Sequence, residues 1–261
     1  MAGVTDERIG IVGTGNVAWH LARLCSLSGV SVSGVLVRNA DVARLRSVGE
    51  RFDVPLQDNL QQLASKSDVI IIAVNDQSIP TVASNLQSFR GLVCHTSGSS
   101  SIDVLAPFCR QRGVFYPLQT LTALQPVPPG EIPVCVEGVD PSVVQRITKI
   151  AHTLGCPTYE VNSHQRMVMH VAAVFACNFT NHMLALAYRI AEKEPAAKPL
   201  LQPLVKETIR KALQADDPKS VQTGPAIRND KETLEKHLKL LDDNPEIQQL
   251  YQLISKSIAQ S

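Results

Sequence analysis

The chain has 261 residues, with 25 basic and 24 acidic side chains and a formal charge of +1. That length accommodates one large domain or two modest ones, each able to bury a core, and two is the expectation. The near-zero balance, spread along the chain, argues against nucleic acid and an anionic membrane as partners, leaving a small molecule or a second copy.

The six cysteines, Cys25, Cys94, Cys109, Cys135, Cys156 and Cys177, lie far apart without a CxxC pair. They read as reduced core residues of a cytoplasmic protein, and no metal site is expected. The first residues show no basic region followed by an apolar one, and no uninterrupted apolar run reaches the length of a membrane span.

The first element is a short apolar strand, Ile9 to Val12, which breaks into Gly13-Thr14-Gly15-Asn16-Val17-Ala18 and continues with apolar residues at helical spacing. Strand, tight turn and helix in that order make a dinucleotide-type turn. Gly13 permits the turn, Gly15 lets the backbone approach a pyrophosphate, and Ala18 keeps helix and strand close. The helix start then offers free N–H groups and a positive dipole end. Alone, GxGxxA is a weak signal.

Val32 to Val37 reads as a second strand and Asp41 to Arg51 as an amphipathic helix. A short helix at Leu60 to Ala64 precedes Asp68 to Val74, whose unbroken Val-Ile-Ile-Ile-Ala-Val run suits a strand buried on both faces. A helix follows at Gln77 to Leu86, then a strand at Leu92 to His95, a helix at Ile102 to Arg112 and a strand at Val114 to Tyr116. The alternation predicts an α/β fold with a doubly wound parallel sheet, with ligands at the carboxyl ends of its strands. A proline-rich connection, Leu118 to Pro133, leads to a strand at Val134 to Glu137, a helix at Pro141 to Leu154 and a strand near Thr158 to Val161. Beyond Asn162 only helices are expected: Ser163 to Ala191 as one long helix of roughly 40 Å at 1.5 Å per residue, then Leu200 to Leu213, Lys231 to Leu241 and Pro245 to Ile258. The domains are therefore 1–161, binding the dinucleotide, and 162–261, an all-helical domain for substrate and dimerisation.

In such a sheet, the residue ending the second strand meets the adenosine ribose. Here Arg38-Asn39 stand where an acid would favour NAD, so NADP is preferred, unless Arg38 is an ordinary exposed arginine. Val74-Asn75-Asp76 and His95-Thr96-Ser97-Gly98-Ser99 follow the next strands and fall beside the nicotinamide half of the cofactor; Ser97, Gly98 and Ser99 also suit a substrate, although Ser100 or Ser101 equally caps a helix. Tyr116-Pro117-Leu118-Gln119-Thr120, at the end of the next strand, is a further candidate wall of that pocket, with Gln119 as its substrate contact. On the long helix Arg166, His170, Asn178 and His182 stand at multiples of four, which places His170 and Asn178 in one quadrant of an apolar helix. Histidine titrates near neutral pH, so His170 suits proton donation with Asn178 orienting a substrate; the alternative is a satisfied core pair. In Thr223-Gly224-Pro225-Ala226-Ile227-Arg228-Asn229-Asp230, Arg228 either holds an anionic substrate or pairs with Asp230, and Asn229 or Asp230 caps the next helix.

Together these motifs resemble the NADP-linked oxidoreductases in which a Rossmann domain precedes a helical one. That group includes pyrroline-5-carboxylate reductase, the 6-phosphogluconate and β-hydroxyacid dehydrogenases, ketopantoate reductase and the deazaflavin-dependent NADP oxidoreductases. More closely the chain is similar to an uncharacterised, mainly bacterial family whose motifs match Gly13 to Ala18, His95 to Ser99, Pro117 to Thr120, His170 to Phe179 and Thr223 to Asp230. The resemblance implies NADP as cofactor, a helical domain of 6-phosphogluconate dehydrogenase type, a homodimer through that domain and a small substrate in the cleft between domains. The β-hydroxyacid dehydrogenases and ketopantoate reductase carry a lysine four residues before their asparagine, where this chain has Val174. Two functions follow: NADPH-dependent reduction of a small carbonyl or imine, or a non-catalytic NADP(H)-binding sensor or partner-binding dimer.

Overall fold

The computed structural model describes residues 5–37, 49–123 and 125–260. Arg38, Asn39 and most of the helix expected at Asp41 to Arg51 lie outside the described residues. Compact packing divides the chain into two units, Met1–Cys177 and Asn178–Ser261.

The first unit is built on one eight-stranded sheet: β1 Ile9–Val12, β2 Val32–Leu36, β3 Leu56–Gln57, β4 Val69–Ile72, β5 Leu92–His95, β6 Arg112–Pro117, β7 Val134–Gly138 and β8 Thr158–Glu160. Its strand order is β3-β2-β1-β4-β5-β6-β7-β8, so the chain reverses direction across the sheet between β1 and β4. From β3 to β6 all neighbours are parallel, which brings the carboxyl ends of β1, β4, β5 and β6 to one edge. The pairing of β6 with β7 is antiparallel, within an otherwise parallel sheet of the doubly wound kind expected. The antiparallel pairing follows from the connection, whose described residues hold only a 3-10 turn at Pro129–Glu131 and no crossover helix.

Alternating side chains feed two cores. On one face Ile9, Ile11, Val69, Ile71 and Cys94 pack under α1 (Asn16–Ser28), alongside residues of a later helix, Pro141–Thr153. On the other, Val12, Ile70, Ile72 and Val93 pack under Leu63 of α2 (Leu60–Ser65) and Ile79 and Ala83 of α3 (Ile79–Ser84). Leu21 and Leu63 are fully buried, each contributing about 1.5–3 kcal/mol. Pro141 opens α4 (Pro141–Thr153), whose Asp140 cap accepts the N–H groups of Ser142 and Val143. The helix expected over Ile102 to Arg112 is reduced to a 3-10 turn, Ile102–Leu105. Pro107 lacks an N–H and disfavours helical backbone before it, and β6 already begins at Arg112.

From Ser163 the chain is helical, but not one regular α-helix: α5 (Ser163–Ala173) gives way to a π-helical segment, Val174–Phe179, and then α6 (Thr180–Ile190). Asn162 and Gln165 close a reciprocal capping box at its start. By length and composition Ser163–Ile190 is a candidate to cross a membrane, its most apolar 18-residue window reaching a mean hydropathy of 1.3, although no uninterrupted apolar run of that length occurs in it. Arg166, His170, Asn178 and His182 interrupt its apolar sequence. Within the first unit the segment is tied to protein, through Arg166 to Glu137 and His170 to Tyr116.

The second unit continues with α7 (Ala197–Gln214), α8 (Lys231–Leu240) and α9 (Pro245–Gln260). Asp230 caps α8 by accepting the Thr233 N–H at 3.1 Å.

Candidate functional site

Gly13 leaves β1 with φ +128°, and a Cβ there would overlap the Ala73 carbonyl. Only glycine satisfies both constraints. Two residues on, a Cβ at Gly15 would meet nothing within 4 Å. Gly15 is also the N-cap of α1 and has no side chain with which to cap it. The helix start thus presents N–H groups toward open space with its positive end, the arrangement that receives a phosphate. Ala18 is fully buried against the sheet, as close helix packing requires. Thr14 and Val17 are half-buried, and Asn16 is exposed.

Beyond β4, Val74 is half-buried while Asn75 and Asp76 are exposed. Asn75 accepts the Ser78 N–H at 3.1 Å, and Asp76 accepts the Ser99 hydroxyl, which joins the loops after β4 and β5. His95, Thr96 and Ser97 are buried. The Ser97 N–H donates to His95 Nδ1 at 3.1 Å, so the ring proton of neutral His95 stands on Nε2. Burial, followed by the charge of Arg166, pushes the His95 pKa down to about 4. His95 is accordingly a neutral anchor of the loop and no acid at neutral pH. Ser97 Oγ accepts the N–H groups of Ser99 and Ser100 at 3.1 and 2.9 Å, tightening the turn around Gly98. Ser101 caps the following turn through the Asp103 N–H.

At the end of β6, the Tyr116 hydroxyl lies 3.0 Å from Nδ1 of His170 on α5, with the rings edge to face. Burial raises the Tyr116 pKa to about 12, so the hydroxyl keeps its proton. A Cβ at Gly98 would stand 2.7 Å from His170 Nδ1 and 2.8 Å from Tyr116 Cζ. Glycine is what lets the three residues meet.

Arg166, one turn before His170, is the largest fully buried side chain. Its guanidinium donates to Glu137, to the Ser97 carbonyl at 3.1 Å and to the Ser100 carbonyl. Ser163 donates both its N–H and its hydroxyl to Glu137 at 2.9 to 3.0 Å. This charge-assisted cluster pins α5 to the loop that carries Gly98.

The structure therefore brings Tyr116, Gly98 and His170 together. Tyr116 as a hydrogen-bond partner, and Arg166 and Glu137 as a clamp, were missed by sequence reasoning. A polar residue at a strand's carboxyl end and a lone arginine one turn before a candidate histidine were the available signals. Gln119 is exposed, and its carboxamide is engaged by the Glu131 carbonyl and by Thr120 within its own loop. Asn178 and Arg228 are exposed residues of the second unit, the former in the π-helical segment. Asp230 has a lowered pKa, from the Thr233 hydroxyl and N–H first and the Arg228 charge after desolvation.

Comparison with known proteins follows these lines. Residues 8–106 match the family described as NADP oxidoreductase coenzyme F420-dependent, and residues 132–258 match a domain of unknown function, DUF2520. No curated protein matches the chain. Among solved structures, a Bacteroides fragilis protein provisionally described as an NADP oxidoreductase is 32% identical, with 98% of this chain covering 99% of that one at a TM-score of 0.87. Pyrroline carboxylate reductase from Plasmodium falciparum, solved with NADP bound, is 14% identical over 98% of this chain and 100% of that one, TM-score 0.63. An imine reductase from Myxococcus stipitatus, in complex with NADP+, is 16% identical over 97% and 92%, TM-score 0.60. At such identities the last two likenesses are of fold. The Bacteroides relative matches from end to end, and the two family models lie in order along the sequence; the chain belongs to the family of NADP oxidoreductases in which an F420-dependent-type domain runs into DUF2520.

Proposed function

We propose that the protein is a soluble, cytoplasmic NADPH-dependent reductase that transfers hydride to a small carbonyl or imine. Its support is one juxtaposition: an uncapped helix start approached through Gly15, and the Tyr116–His170 pair against Gly98, share one edge of a parallel sheet. The α1 N–H groups and the Gly13 to Ala18 backbone hold the pyrophosphate. Arg38, two residues past β2, takes the adenosine 2′-phosphate with Asn39 beside it. The loops Val74 to Asp76 and His95 to Ser97 border the nicotinamide half. When bound, NADPH supplies the hydride.

His170 delivers the proton. Hydride arriving at the carbon of a C=O or C=N group leaves negative charge on the heteroatom, and the Nε2 proton of His170 neutralises it to give alcohol or amine while Nδ1 takes up the proton of the Tyr116 hydroxyl 3.0 Å away, so that the ring stays neutral and the charge rests on the phenolate until water reprotonates it. Ser97, Gly98 and Ser99 border the substrate, and the glycine admits it close to the backbone. Gln119 is a further proposed substrate contact on the first unit, and on the second unit Asn178 through its amide and Arg228 through its charge are proposed substrate contacts. Solved relatives in fold named as a pyrroline carboxylate reductase and an imine reductase, each with NADP or NADP+ bound, support this class of reaction.

The second unit supports a homodimer. Leu200, Leu204, Leu213 and Leu253 are exposed, and Met183, Leu186, Ile190, Ile247 and Leu250 line an apolar groove of about 280 Å³. Apolar surface on this scale marks an interface. Sedimentation should give the mass of two chains, and Leu250→Asp should give one; a monomeric wild type removes the dimer. The reductase reading is tested by titrating NADPH against NADH and following NADPH consumption across keto acids, aldehydes and cyclic imines. A wild type that binds neither nucleotide would sink it.

A further inference from the structure

We infer that Tyr116 is a positioning residue that keeps Nδ1 of His170 unprotonated, so that the proton of the neutral imidazole stands on Nε2, the atom free to face a substrate. This rests on the proton-donor role proposed for His170.

The hydroxyl and Nδ1 stand 3.0 Å apart. Two arrangements satisfy it, with O–H donating to Nδ1 or Nδ1–H donating to the oxygen. A phenol is a far stronger acid than a neutral imidazole N–H, and an imidazole nitrogen is a far better acceptor than a phenol oxygen. The first arrangement is therefore favoured. The charged and titratable groups acting on the hydroxyl are Cys135 on β7, Arg166 on α5 and Asp76 after β4.

Two further features hold the ring in that orientation. A half-turn of the imidazole would replace Nδ1 by a carbon at the hydroxyl and forfeit the bond. The absent side chain at Gly98 leaves the room the ring occupies, with His170 Cγ 2.8 Å from where a Cβ would be. Arg166 grips the carbonyls on either side of Gly98, at Ser97 and Ser100, from the same helix that carries His170. Loop and ring are thus placed relative to one another before any ligand arrives, and fixing one ring nitrogen assigns the role of the other.

The test is long-range proton–nitrogen NMR on the full chain labelled with 15N-histidine, at about pH 8.5, two units above the ordinary histidine value. The His170 signals are identified by their loss in His170→Gln. In the wild type, the result expected is a single tautomer protonated on Nε2, with Nδ1 displaced by its hydrogen bond from the position of a free ring nitrogen. Tyr116→Phe, which keeps the ring and removes the oxygen, should return Nδ1 to that free position, with turnover falling on the order of tenfold. A wild type protonated on Nδ1, or an Nδ1 signal that Tyr116→Phe leaves unmoved, overturns the inference. Because the wild-type spectrum needs neither nucleotide nor substrate, it can fail while NADPH binding and turnover succeed, and the reverse.

Discussion

Gly98 and His170 meet so closely that a single methyl group on the glycine would lie 2.7 Å from the histidine Nδ1. The helix is pinned through Arg166 and the loop is tied through Ser97. Gly98→Ala should therefore displace the imidazole by a few tenths of an ångström or more, and misplacement on that scale costs up to about a hundredfold in turnover. NADPH affinity, set at β1 and α1, should stay within about twofold of wild type. Steady-state kinetics beside a binding titration separates the two, and unchanged turnover would remove the contact from the mechanism.

The two glycines of the first turn should behave oppositely. Gly13→Ala forces a positive-φ residue against the Ala73 carbonyl and should destabilise the free protein by about 1–3 kcal/mol or more. Gly15→Ala meets no protein atom and should leave the free protein within about 0.5 kcal/mol of wild type. Its effect should appear with ligand: saturation at a hundred times Kd stabilises by about 2.7 kcal/mol, and Gly15→Ala should lose most of the corresponding shift in melting temperature. An undiminished NADPH shift would place the phosphates elsewhere.

Arg166→Met removes the cation from a buried cluster and leaves Glu137 with only Ser163 to satisfy it. The expected cost is about 3–5 kcal/mol in urea denaturation. Adding Glu137→Gln should recover part of that loss, because the stranded charge is its main source. A single-variant cost below about 1 kcal/mol would mean that the clamp contributes little.

His95 makes stability depend on pH. Its folded pKa, about 4, lies below the ordinary value near 6.5, so the unfolded chain binds the proton first as pH falls. Stability is then fully present above about pH 6.5 and declines toward pH 4, by up to about 3 kcal/mol from this group. His95→Asn cannot titrate and should flatten that part of the profile in denaturation measured at several pH values. Equal slopes for variant and wild type would contradict the burial argument.

The first turn and the strand ends were legible in the sequence because their constraints are local. Gly13 needs its φ, Gly15 its open approach, and the Val69–Ile72 strand its unbroken apolar run, all within a few residues. The clamp and the Tyr116–His170 pair join residues 29 and 54 positions apart, a distance over which periodicity carries no information. The antiparallel β7 was hidden for a different reason: the proline-rich connection before it showed no helix, and that absence was the signal for a reversal of direction. Pro107 likewise marked where the helix expected after Ile102 would stop.

The central claim is that His170 supplies the proton for an NADPH-dependent reduction. It is tested most directly by comparing NADPH consumption by wild type and His170→Ala, with NADPH affinity measured on the same samples, across small carbonyl and imine substrates. The account predicts at least one substrate turned over by the wild type, a fall of about 10²-fold or more in the variant, and NADPH dissociation constants within about twofold of each other. Equal turnover by the two proteins, or a variant that loses NADPH binding in proportion to its rate, would contradict it.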